Sequence, residues 1–326
     1  MTIGGCFRII LFMKMIFNFI NPPSLIVLPL LIGLLVSGCS QATGPNPQEG
    51  DKLQAVATTT IVADIVRNIG GDRIELDTLL PVGADPHSFQ PAPRDLARLA
   101  QAEVIFVNGA GLEEFLLPLI EGANPDAMLV DVSAGIPLLE PSAGEAETEH
   151  SEGDPHVWTD PNLVLTWVQN IAEALSAVDP GGAALYQSNA DSYSQELLAL
   201  DVWVREQVET VAPEHRRLVT DHQVLGYFAQ AYGFEQVGAI LPGFSTVTEP
   251  TARELAALED AIHDLGIKAV LLGNTISPTL AQQVAQDTGV NLVTIYTGSL
   301  SEPGGPAGTY LDYIRYNVQA IVEALK

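Results

Sequence analysis

Residues 183 to 211 contain neither glycine nor proline, and Pro180-Gly181-Gly182 and Pro213 flank this uninterrupted stretch. Within it Tyr186, Ala190, Tyr193, Leu197, Leu200, Val204, Val208 and Val211 recur at spacings of three and four, which places them on one face of a helix. At 1.5 Å per residue such a helix reaches about 40 Å. A coiled-coil strand is the other structure a stripe of this kind can make. It needs roughly three to four sustained heptads with charged flanking positions, and the stripe is too short for that. One long helix therefore divides the chain, and each side of it folds to its own pattern.

That pattern is the same on both sides. Strand-like runs at 55–60, 74–80, 104–108 and 128–132 alternate with helical periodicities at 61–69, 94–102, 112–120 and 162–178. Beyond the long helix, strands at 217–220, 236–241, 268–272 and 291–296 alternate with helices at 224–232, 252–265, 280–288 and 310–325. Alternation of this kind predicts parallel sheets. The expected fold is α/β, with two lobes that each carry a mostly parallel sheet flanked by helices, joined by one long rigid helix. The divisions fall at 53–180 for the first lobe, 181–213 for the linking helix and 214–326 for the second lobe.

The N-terminus carries a different signal. Lys14 precedes an apolar segment, and residues 25–36 are uncharged up to Leu35-Val36-Ser37-Gly38-Cys39. A basic start, an apolar stretch and small residues before a cut describe a secretory signal. The apolar run is shorter than the roughly 18 residues of a spanning helix, and Pro22-Pro23 interrupts its flank, so a transmembrane anchor fits less well. Leu-Val-Ser-Gly-Cys also resembles the bacterial lipoprotein box, in which the cysteine becomes the acylated first residue. The expectation is a signal over 1–38, a lipid on Cys39 that ties an exported protein to the membrane, and a flexible tether over 39–52. Of the two cysteines, Cys6 leaves with the signal, so no internal disulfide or cysteine-based zinc cluster is expected. The 40 acidic residues outnumber the 14 basic ones, for a net charge of −26, and such a field repels phosphate backbones. Nucleic acid is excluded as a partner.

Three of the six histidines share a context. Asp-Pro-His occurs at Asp85-Pro86-His87 and again at Asp154-Pro155-His156, and His222 stands in Thr220-Asp221-His222-Gln223. Each marks a junction between a strand-like and a helix-like run. In alternating chains such junctions line the crevice at the carboxyl ends of the strands. His87, His156 and His222 are therefore expected to build a transition-metal site. Asp85, Asp154 and Asp221 either accept from the histidines' second ring nitrogen or hold the turns. His215 and His263 read as solvated, and Trp158, Trp167 and Trp203 as packing anchors. Residues 140–154 hold six acids and His150 and no basic residue, which predicts a mobile, solvated loop that gathers cations at most weakly.

The chain resembles the metal-binding solute-binding lipoproteins of bacterial ABC importers of zinc and manganese. The matching stretches are Gly83-Ala84-Asp85-Pro86-His87-Ser88-Phe89-Gln90-Pro91, Asp95-Leu96, Val107-Asn108-Gly109-Ala110-Gly111-Leu112-Glu113 and Asp154-Pro155-His156-Val157-Trp158. His222 with Gly226-Tyr227-Phe228, Glu249-Pro250-Thr251, Thr309-Tyr310-Leu311 and Tyr316-Asn317 continue the match across the chain. The resemblance implies two lobes with one metal between them, and a permease and its ATPase as partners of a monomeric carrier. His87 and His156 map to the ligands of the first lobe. His222 maps to the first ligand of the second lobe, where zinc carriers have histidine and many manganese carriers an acid.

Two positions depart from the family. Gly298, in Tyr296-Thr297-Gly298-Ser299-Leu300, stands where an aspartate ligand is usual, and Gly273 where an acid often follows a strand. Water or a carboxylate such as Glu249 would then complete the shell, and an acid restored at position 298 is expected to tighten binding. Three imidazoles without a carboxylate point to zinc as the cargo, with a manganese carrier as the alternative. The same three histidines with an open position also describe an exported zinc-dependent hydrolase. No His-Glu-x-x-His or Gly-x-Ser-x-Gly motif accompanies them, so a carrier rather than an enzyme is expected. An adhesin role would rest only on how the family has been named.

Overall fold

Short runs rich in Val, Ile and Leu pair into two four-stranded sheets in the computed structural model, which describes residues 52–140 and 153–326. The expected signal, Cys39, almost all of the tether and the acidic stretch 141–152 with His150 lie outside the described residues. β1 (Leu53–Ala57), β2 (Ile74–Thr78), β3 (Val104–Val107) and β4 (Met128–Asp131) pair in the order β2-β1-β3-β4. β5 (Arg217–Thr220), β6 (Glu235–Ala239), β7 (Ala269–Gly273) and β8 (Asn291–Ile295) repeat that order as β6-β5-β7-β8. Every pairing is parallel. β3 and β7 are buried along their whole length, as parallel strands covered on both faces must be. In each sheet the order reverses at one place, between β1 and β3 and between β5 and β7. A crevice opens there at the carboxyl ends of the strands.

The helices are α1 (Thr60–Gly70), α2 (Pro93–Leu99), α3 (Leu117–Ala123), α4 (Pro161–Val178), α5 (Ala183–Val208), α6 (Gly226–Tyr232), α7 (Ala252–Leu265), α8 (Thr279–Thr288) and α9 (Tyr310–Leu325). Helix α5 is the long element read from the sequence. Its buried residues are the seven predicted from Tyr186 to Val208, and the helix stops three residues before Val211, which is itself buried. It packs along α1, α4 and α9. The largest apolar cluster runs from β1 and β3 through α1, α4 and α5 to α6 and α9, so elements from both halves share one core. A smaller separate cluster includes alternate residues of β1 and β3, and another does the same for β5 and β7.

The halves are also tied by polar bonds. Asp64 of α1 accepts from Tyr310 N at the start of α9 (2.9 Å), Trp158 Nε1 donates to Thr297 O (3.1 Å), and Tyr310 Oη donates to Trp158 O (2.7 Å). No helix among the described residues is long and apolar enough to cross a membrane.

One element differs from its sequence reading. The helical pattern at 112–120 becomes a helix only from Leu117: Gly109, Ala110 and Gly111 are all at positive φ, and the chain runs on from them through successive turns.

Neighbouring positions on α5 test its two faces. Leu197 is 1% exposed and Leu198 51% exposed. Leu197→Ala should cost about 2–5 kcal/mol of unfolding free energy in a urea titration. Leu198→Ala should stay within about 0.5 kcal/mol of the parent.

Candidate metal centre

The three predicted histidines converge. His87 lies in the loop after β2, His156 in the connection from β4 to α4, and His222 two residues beyond β5. All three are buried, and one ring nitrogen from each lies within 4.8 Å of the others. His156 Nε2 is the centre of the group, 3.1 Å from His87 Nε2 and 3.3 Å from His222 Nε2. Two nitrogens held tetrahedrally by zinc at about 2.0–2.1 Å sit about 3.3–3.4 Å apart, so the spacing already suits one small cation.

Two aspartates orient this set. Asp154 Oδ1 accepts from His156 N (2.9 Å) and faces His156 Nδ1 at 2.8 Å. Asp221 Oδ1 accepts from His222 N (2.6 Å) and faces His222 Nδ1 at 2.5 Å. A carboxylate can only accept, so each Nδ1 carries the proton and each Nε2 lone pair is turned toward the centre. With both rings neutral, the two lone pairs face each other 3.3 Å apart, and a cation or a proton between them relieves the repulsion. Asp85 does the other job foreseen for these residues. Its Oδ1 accepts from His87 N (3.1 Å), and its Oδ2 accepts from Ser88 Oγ (2.8 Å) and from Thr246 Oγ1 across the crevice (2.6 Å).

Several supports were not read from the sequence. Tyr227 Oη donates to Asp154 O (2.7 Å) and accepts from Leu139 N (3.1 Å), which gives the Gly226-Tyr227-Phe228 match a physical role. The Trp158 ring meets His156 edge-on with centroids 5.2 Å apart, so this packing anchor also braces a candidate ligand. Asp221 Oδ2 accepts a short hydrogen bond from Gly273 N. A Cβ at Gly273 would overlap Thr297 Oγ1 and come within 2.7 Å of Asp221 Oδ2, so any side chain at 273 requires Thr297 and Asp221 to shift.

No carboxylate among the described residues joins the three histidines as a fourth member. Glu249, the candidate raised above, instead lines a cavity of about 270 Å³ beside Asp221, Thr246 and Thr248. His215 and His263 stand apart from the group, His215 half-buried and His263 exposed. Gly298 is glycine for a reason the sequence did not supply. A Cβ there would come within 2.7 Å of Pro86 Cδ, the ring that precedes His87.

The profile of the family described as zinc-uptake complex component A, periplasmic, matches residues 55–324. The manganese-binding lipoprotein MntA of Halalkalibacterium halodurans is 33% identical over 298 residues, covering 91% of this chain and 96% of that protein. The manganese ABC transporter substrate-binding lipoprotein PsaA of Streptococcus anginosus is 31% identical over 314 residues, covering 93% and 98%. Among solved structures, the Mn-bound periplasmic metal binding protein of Candidatus Liberibacter asiaticus superposes with a TM-score of 0.76 at 30% identity, over 84% of this chain and 100% of that one. The periplasmic zinc binding protein TroA of Treponema pallidum gives 0.77 at 29% identity, over 84% and 99%.

The contact between Gly298 and Pro86 makes a prediction opposite to the one drawn from the sequence. Gly298→Ala should weaken metal binding by pushing Pro86 and with it His87, and Gly298→Asp should fail to tighten it. Isothermal titration of both variants checks this; a tighter Gly298→Asp would return the position to the role of a vacant ligand.

Proposed function

The chain belongs to the zinc-uptake complex component A family, the substrate-binding components of metal ABC importers, and on that premise we propose that His87, His156 and His222 hold its one metal ion for delivery to the permease and ATPase. The observation that carries the assignment is the convergence of three buried imidazoles, two of them turned by aspartates so that Nε2 faces a common centre. The protein is not an enzyme: its relatives are carriers, and the zinc-dependent hydrolase drawn from the same three histidines falls away.

For the cargo we favour manganese, supported by the names of relatives that match over more than nine-tenths of this chain and by the Mn-bound structural neighbour. This replaces the zinc cargo expected from the sequence. Zinc remains the second reading because of the donor set, three nitrogens and no carboxylate among the described residues. Zinc exceeds manganese in affinity for such donors in general, so tight zinc binding in vitro and manganese delivery in a cell are compatible. The supply of each ion decides between them. Export, a lipid on Cys39 and action as a monomer complete the proposal. Export and the lipid are supported by the Leu-Val-Ser-Gly-Cys string and the lipoprotein relatives. The division at 53–180, 181–213 and 214–326 is likewise a proposal, supported by one sheet on either side of α5.

His87→Ala, His156→Ala and His222→Ala should each lower metal affinity by more than the roughly 10–100-fold that losing an outer partner costs. Affinity should also fall in acid, since imidazole must be neutral to bind. Calorimetry with zinc and manganese, and metal analysis of protein purified without added metal, read these outcomes. Full affinity in His156→Ala would overturn the ligand assignment, and zinc retained from manganese-replete cells would favour the second reading of the cargo.

A further inference from the structure

At the carboxyl ends of β1 and β3, where the first sheet reverses its order, one carboxylate is buried that the metal centre does not use directly. Glu113 is 2% exposed. Its Oε1 accepts from Thr58 Oγ1 (2.5 Å) and Asn108 N (2.7 Å), and its Oε2 from Gly109 N (3.1 Å). It thus closes a loop of five residues onto the ends of two adjacent strands. Burial pushes its carboxyl up to about 7, against the pull of these three donors and with Asp131 adding to the rise.

The loop it closes is conformationally unusual. Gly109, Ala110 and Gly111 follow one another at φ of 77°, 52° and 79°, and Ala110 is the one non-glycine residue at positive φ among the described residues. An alanine stays in that region only when its surroundings hold it there. A Cβ at Gly109 would overlap the Asp131 carboxylate, so the loop is pinned from the β4 side as well.

What this loop presents is the side chain of Asn108. Asn108 Nδ2 donates to Gly109 O (2.9 Å) and to Pro155 O (3.1 Å). Pro155 O belongs to the peptide whose N–H is that of His156, and that N–H donates to Asp154 Oδ1 at 2.9 Å. Both polar atoms of the Pro155–His156 peptide are therefore held, the carbonyl by Asn108 and the amide by Asp154. A peptide plane fixed at both ends fixes the direction in which the next side chain leaves the backbone. That side chain is the imidazole closest to both others.

We propose that Glu113 is a positioning residue for the metal centre, setting His156 through Asn108 and the Pro155–His156 peptide. The proposal rests on the reading of His156 as a ligand and extends it to residues that touch no metal. Glutamine at 113 cannot reproduce the arrangement, since its amide nitrogen would face donors. Alanine at 108 removes the side-chain bonds to Pro155 O and to Gly109 O and leaves Glu113 its Thr58, Asn108 N and Gly109 N donors.

The test is titration of zinc and of manganese into the full-length protein and its Glu113→Gln, Asn108→Ala, double and His156→Ala variants, with the visible spectrum of bound cobalt recorded for each. Glu113→Gln and Asn108→Ala should each weaken binding about tenfold or more and shift the cobalt bands. The double variant should bind no more weakly than Glu113→Gln, because both changes act on one peptide. Full affinity in Asn108→Ala, losses that multiply in the double variant, or a parental cobalt spectrum in both singles would overturn the proposal. If Glu113→Gln does not fold, Asn108→Ala decides alone. Loss of binding in His156→Ala with Asn108→Ala intact refutes only the role of Glu113. Binding retained by His156→Ala refutes the ligand assignment itself.

Discussion

The facing of nitrogen lone pairs at the centre of the crevice is the interaction on which the rest of the structure turns. Asp154 and Asp221 each accept a hydrogen bond from Nδ1 of a histidine, and this commits both Nε2 atoms to point at one spot, 3.3 Å apart and buried. With His87 Nε2 beside them, 3.1 Å from His156 Nε2, the spot is lined by three ring nitrogens. A cation bound there would draw on all three nitrogens at once. The outer carboxylates do more than orient the rings, since a held imidazole is also a more basic ligand.

The fold makes this arrangement reachable from ordinary parts. Two sheets with the same strand order each reverse at one place, and the loops leaving those places carry the histidines or their supports. His222 and Asp221 follow β5 directly, while Thr58 and Asn108 at the ends of β1 and β3 surround Glu113. The segment after β8 then crosses to the first half, where Ser299 Oγ accepts from Gly83 N (2.9 Å), Leu300 N donates to Thr60 Oγ1 (2.9 Å) and Gly298 lies on Pro86. A loop engaged in this way serves to hold the turn that carries His87. That accounts for glycine at 298 in terms of contact rather than of a missing ligand.

Much of this was legible in the sequence because the signals were periodic or repeated. The long helix showed itself by three- and four-residue spacing, the strands by short apolar runs, and the cluster of three histidines by two copies of Asp-Pro-His and one histidine at a strand end. The start of α3 was not legible, because apolar spacing from Leu112 onward does not distinguish the successive turns that follow Gly109-Ala110-Gly111 from a helix. Nor was the division of labour among the aspartates. Asp85 and Asp154 sit in identical tripeptides, yet one bonds a threonine across the crevice and the other an imidazole, a difference set by tertiary neighbours alone. The cargo was not legible for a related reason: donor type ranks affinities, but the metal a carrier delivers also depends on what its surroundings supply.

The claim that one metal is held by three histidines from both halves meets its most direct test in anomalous diffraction from crystals of the metal-loaded protein, recorded at the metal's absorption edge. The account predicts a single strong peak within about 2.0–2.3 Å of the Nε2 atoms of His87, His156 and His222, with Asp154 and Asp221 still on the far side of their rings. A peak bound by only one of these histidines, or one centred on carboxylates away from them, would contradict it.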